Sequence, residues 1–177
     1  MVTADGPDRG QATVAGLPAG FDVGAPVQAE VFVVWLDADR LALTGPCGAA
    51  AWLIDLGVTD HPVEVVARIV GDVVGEPRLL HSTSWRRDHG ALILSFVVVI
   101  DEALVGSMES LPIGRADLAR GEATAAPRAI ASGQVIEHGL RHMAWLARDD
   151  PAVAAALPEP WRSALATYLP EPFRNLG

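Results

Sequence analysis

The sequence predicts an α+β fold, a mixed β-sheet packed between helices with a helical C-terminal segment. Three observations lead there. Apolar runs of strand character alternate with turn signals over residues 27–100, and a 3.6-period stripe with start and stop signals sits between two of them. Residues 127–168 then read as helices punctuated by proline. With 177 residues, 50% hydrophobic, the chain can bury one sizeable core, so residues 27–177 are expected to form a single domain. Residues 27–120 would supply the sheet and first helix, and residues 121–177 the C-terminal helices. The Gly-, Ala-, Pro- and Asp-rich residues 1–26 read as a flexible N-terminal segment.

Each element has its own warrant. Val27 to Leu36 begins with period-two alternation and becomes continuously apolar, as in a strand that is buried further along. Asp37 to Arg40 is a turn, after which Leu41 to Thr44 pairs back. Gly45-Pro46-Cys47-Gly48 breaks the chain, and Ala50 to Leu56 is the next strand. A helix follows, capped by Asp60 or Thr59, with Pro62 in its first turn, where a missing N–H costs no bond. Val63, Val66, Ala67, Val70, Val73 and Val74 form its buried stripe, while Glu64, Arg68 and Asp72, four apart, are spaced for two i,i+4 ion pairs. Gly75 and Pro77 end it. Leu79 to Arg86 then places Leu79, His81, Thr83 and Trp85 on one face of a strand, Asp88-His89-Gly90 turns, and Ala91 to Ile100 returns as the most hydrophobic strand. A short helix at Arg115 to Arg120 precedes a long one to Arg148; Asp150-Pro151 and Pro160 to Tyr168 begin and form two more. Leu157-Pro158-Glu159-Pro160-Trp161-Arg162 recurs as Leu169-Pro170-Glu171-Pro172-Phe173-Arg174, which reads as helix punctuation.

Composition removes several function classes. All 13 basic residues are arginine, which excludes a P-loop lysine, a lysine Schiff base and a lysine general base. The formal charge of -9 opposes sequence-independent nucleic-acid binding, which depends on neutralising phosphates. The single Cys47 excludes an internal disulfide and any zinc site that needs two thiolates. No apolar run is long enough to span a bilayer, and the first 26 residues lack the basic start and apolar stretch of a signal peptide, so a cytoplasmic protein is expected.

The order strand, hairpin, helix, strand, long buried strand and C-terminal helix resembles the Nudix hydrolases. In that family the helix carries the box G-x5-E-x7-R-E-U-x-E-E-x-G-U, U being a bulky aliphatic residue. With the final glycine set on Gly75, the box arginine falls on Arg68 and the aliphatic position on Val70. The resemblance implies a Nudix-like α/β/α sandwich whose box glutamates would hold magnesium at a diphosphate. Here those positions are Asp60, Ile69, Asp72 and Val73; Ile54 replaces the opening glycine and Glu76 the closing aliphatic residue. A lone Asp72 is a poor replacement for a carboxylate cluster around Mg²⁺. The resemblance therefore implies a domain that has lost the usual magnesium site and binds a small molecule or partner without catalysis or cofactor.

Trp85, Arg86 and Arg87, with Arg68, are the candidate ligand-binding residues. Arginine forks bind phosphate or carboxylate bidentately, and an indole stacks on a ring, so the expected ligand is an anionic small molecule. A solvated hairpin tip, with Asp88 partnering an arginine, is the alternative for the same residues. A second functional reading is a hydrolase of a nucleoside-diphosphate-type substrate using Mg²⁺ or Zn²⁺ at a non-standard site. Asp72 with Glu64, or His138 with His142, would hold the metal. The two histidines, four apart, share a helix face between a polar side with Gln134, Glu137, Arg141 and Arg148 and an apolar side with Leu140 and Met143; His81 or His89 would have to add a third ligand. A third reading is a homodimeric interaction module in which Trp145, Trp161 and Phe173 bury a shared face.

Overall fold

A computed structural model describes residues 24–101, 108–118 and 129–168. It contains β1 (Val27–Asp37), β2 (Arg40–Thr44), a 3-10 turn at Pro46–Gly48, β3 (Trp52–Leu56) and α1 (Pro62–Val74). These are followed by β4 (Leu79–Asp88), β5 (Ala91–Val99), β6 (Leu111–Pro112), α2 (Ser132–Asp149), α3 (Pro151–Ala156) and α4 (Glu159–Leu165). Residues 115–118 carry no helix, against expectation, and the second copy of the Leu-Pro-Glu-Pro repeat lies outside the described residues.

The strands form one mixed sheet in the order β4-β5-β1-β2-β6. β1 is its spine. Its first half pairs antiparallel with β3 (Val27↔Leu56 to Val31↔Trp52), and its second half with β2 (Val33↔Thr44 to Asp37↔Arg40). Its other edge runs parallel to β5 from Val27↔Leu92 to Val34↔Val99. Alternation along β1 then separates two cores. Ala29, Val31, Val33 and Trp35 face α1 and pack with Val66, Val70 and Val74, whereas Phe32 and Val34 face the C-terminal helices and pack with Ile136, Leu140, Met143, Leu157 and Trp161. The predicted α+β sandwich is the observed architecture.

α1 begins after His61, with Pro62 at its first position. Asp60 does not cap it; its Oδ2 accepts the Gly57 N–H at 2.7 Å and closes the preceding turn. The buried stripe is narrower than expected, because Val63 and Val73 are 42% and 58% exposed. Gly75 ends the helix at φ 85°, a conformation suited to glycine. His89 and Gly90, both at positive φ, form the two-residue turn between β4 and β5.

The registry of β4 corrects the expected strand face. A bulge shifts its pairing between Ser82↔Phe96 and Ser84↔Ser95, leaving Thr83 as the extra residue. Beyond the bulge the alternation is reversed. Trp85 pairs with Leu94, which packs in the α1-side core, so Trp85 points away from His81 and Thr83.

Candidate functional site

The bulge separates the residues expected at one anion site. Arg86 pairs with Ile93 and faces the side of the C-terminal helices. There it forks onto Glu30, with Nη1 donating to Oε2 at 2.6 Å and Nη2 to Oε1 at 3.0 Å, and Nη1 also reaches Ser95 Oγ at 3.3 Å. Glu30 is 3% exposed. A buried carboxylate requires this compensation, so the guanidinium is engaged inside the protein. Trp85 and Arg87 alternate with it and fall on the α1 side.

Arg68 lies on that same side. A shallow open cleft of about 430 Å³ separates α1 from β4, lined by Ala67, Arg68, Gly71, Asp72, Glu76, Pro77 and Leu80. The small residues Ala67 and Gly71 let the cleft approach the helix backbone, and Arg68 and Asp72 form its rim. Among the described residues no ion pair joins Arg68 to Glu64 or Asp72, contrary to the expected i,i+4 ladder. Leu80 supplies the floor from β4, and Trp85 and Arg87 continue the same strand face past it. Trp85 is 69% exposed. Trp85, Arg87 and Arg68 thus fall on one side of the sheet, the first two beyond the residues that line the cleft, and Arg86 falls on the other.

The expected metal donors are scattered. Glu64 and Asp72, eight positions apart on α1, stand about 12 Å apart along the helix axis. One Mg²⁺ ion with ligands near 2 Å cannot bridge that gap. Asp60 is engaged with Gly57, and hydrophobic Ile69 and Val73 occupy the other box positions. The residues present do not fit the family's magnesium site. On α2, the His142 ring lies flat against His81, with centroids 5.0 Å apart and planes 14° apart, and edge-on to Trp145. Parallel rings do not converge their nitrogens on one ion. His89 sits at the hairpin turn beside Asp88. Among the described residues no group of three or more His, Cys, Asp or Glu could hold a metal.

The most elaborate polar cluster is one that the sequence hid. Glu137, expected on the solvent face of α2, is fully buried. Arg115 donates to it through Nε at 2.9 Å and Nη2 at 2.7 Å, and Arg141 through Nε at 2.8 Å. Arg115 also donates to the Thr167 carbonyl and lies over the Tyr168 ring at 4.2 Å. Burial pushes the Glu137 carboxyl up, but the hydrogen bonds from both arginines outweigh it and hold the group below the usual carboxylate range. This cluster ties α2 to the segment after β6 and to the end of α4. Trp161, expected at a dimer face, is 4% exposed within this chain's own core, and Phe173 lies outside the described residues.

No family model matches the chain, and no curated protein matches it. Among solved structures it is similar to NrtR of Shewanella oneidensis, with a TM-score of 0.55 and 10% identity over 81% of this chain and 79% of that one. At that identity the likeness speaks for the fold alone, which is consistent with the Nudix-like arrangement expected from the sequence. No helix among the described residues is long and apolar enough to cross a membrane.

Proposed function

We propose that this chain is a Nudix-like binding domain without the family's magnesium-assisted hydrolysis, and that it takes an anionic small molecule along the α1–β4 cleft. One observation carries the reading. Arg68 rims an open cleft on the side of the sheet that also presents Trp85 and Arg87, while the carboxylates of α1 are too dispersed to hold one ion. Arg68 and Arg87 supply the charge that meets a phosphate or carboxylate, and Trp85 offers a flat apolar surface for a ring. Arg86 holds its strand in place through Glu30 and does not itself meet the ligand.

A thermal-shift titration with inorganic pyrophosphate and nucleoside diphosphates tests this, because a ligand that binds only the native state raises its stability. The melting temperature should rise with at least one of these anions, and the rise should shrink in Arg68→Ala and Trp85→Ala. Mg²⁺, Mn²⁺ or Zn²⁺ alone should leave it unchanged. Stabilisation by one of these metals, together with release of phosphate from a nucleoside diphosphate, would replace the binding reading with a hydrolase.

A further inference from the structure

We propose that the stacked His81–His142 pair is an acid-sensitive clasp that holds α2 against edge strand β4 and loosens when both imidazoles carry charge.

The geometry comes first. His81 projects from β4 on the side of the C-terminal helices, opposite Val97. One turn of α2 before His142, Gly139 lies so near the sheet that a Cβ there would stand 2.8 Å from Val97 Cγ2 and 3.5 Å from Thr83 Cγ2. This contact presses the helix onto the bulged part of β4 and brings the two rings together at 5.0 Å. Neutral imidazoles stack favourably at that distance, with Trp145 closing one edge. Two imidazolium ions there repel each other, with little water between them.

The surrounding charges point the same way. His138, on the same helix, adds a third potential positive charge, and β5 and α3 carry no ionisable side chain. Among the described residues, Asp150 is the carboxylate that opposes the effect at His81, and it already accepts the Ala152 and Val153 N–H groups as the cap of α3. Arg141 is committed to Glu137, and Glu159 pairs with Arg162 within α4. Burial lowers both imidazoles from 6.5; nearby His81 and His138 lower His142 further, and Asp150 partly offsets the effect at His81. For a base whose folded value is lowered, the unfolded chain holds more protons as pH falls. The penalty is absent well above pH 6.5 and grows as pH drops through and below that value.

The test is a histidine NMR titration of the full chain together with amide-exchange protection of α2 at pH 7.5 and pH 5. Both imidazoles should titrate below 6.5, and α2 protection factors should fall about tenfold or more on acidification, while those of α1 hold. In His81→Phe the flat contact remains without its proton. There the His142 value should rise and the acid-induced loss of protection should shrink, whereas His89→Phe at the exposed turn should behave as wild type. An equal loss of protection in wild type and His81→Phe would overturn the clasp. So would wild-type titration of either ring at or above 6.5, a result that decides the matter even if His81→Phe does not fold.

Discussion

The two helical layers of this sandwich are built by different means. On the α1 side, Val66, Val70 and Val74 share a core with Ala29, Val31, Val33 and Phe96, a wholly apolar contact dominated by valine. The charged residues Glu64, Arg68 and Asp72 on that helix are left to solvent and to the cleft. On the other side, Leu140, Met143, Leu157 and Trp161 fill the core, and ionisable groups are threaded through the contact at Glu137, His81 and His142. One layer therefore spends its charges outward, where a ligand can meet them. The other turns them inward, where they set the pH range over which the fold holds together.

This contrast can be broken by substitution. The largest effect should come from Arg86→Ala, which strands Glu30 with little beyond Ser95 Oγ for company. Removing one partner of a buried pair costs about 3–5 kcal/mol, while Glu30→Leu with Arg86→Met should be near neutral or stabilising. Urea denaturation measures both. A near-neutral Arg86→Ala would return Arg86 to the list of available anion-binding residues.

A smaller effect belongs to Glu137. Its folded value lies below the 4.5 of an unperturbed carboxyl, so the stability it contributes is present above that value and lost as pH falls through the folded one. Glu137→Gln should lose about 1–3 kcal/mol at pH 7 and show a flatter decline of stability between pH 5 and pH 3 than wild type. Parallel declines would mean that other carboxylates govern acid unfolding.

The most delicate comparison uses one substitution in both layers. Gly139→Ala on α2 places a methyl group against Val97 and should destabilise by about 1–3 kcal/mol through overpacking. Gly71→Ala on α1 meets nothing within 4 Å and should stabilise by about 0.5–1 kcal/mol, since alanine loses less backbone entropy in a helix interior. Opposite signs in a denaturation series confirm that α2 is held close to the sheet and that α1 leaves open space beside it.

What could be read from the sequence followed from local signals. The limits of α1 were legible because Pro62 and Gly75 act within one turn of their own positions, and the β4–β5 turn because His89-Gly90 is a two-residue hairpin pattern. The face of Trp85 was not legible. A bulge at Thr83 inverts the alternation, and nothing in the composition of that strand announces an extra residue. The burial of Glu137 escaped for another reason, since its arginine partner Arg115 comes from a segment 22 residues away and helical periodicity alone places the carboxylate outside. Arg68 was identified from its register with Gly75, but the cleft beside it depends on where β4 returns.

β1 also has a consequence for the order in which the chain folds. It forms the β2 hairpin with its immediate successor, yet its whole parallel partner lies 65 residues downstream, beyond β3, α1 and β4. During synthesis this central strand, with its apolar run Val31 to Leu36, is complete well before β5 exists to cover its second edge. Closing that long loop is the slow, entropically costly step, and until it occurs Val31 to Val34 is an open template for another chain. Yield on refolding should therefore depend on protein concentration far more than the stability of the finished fold does.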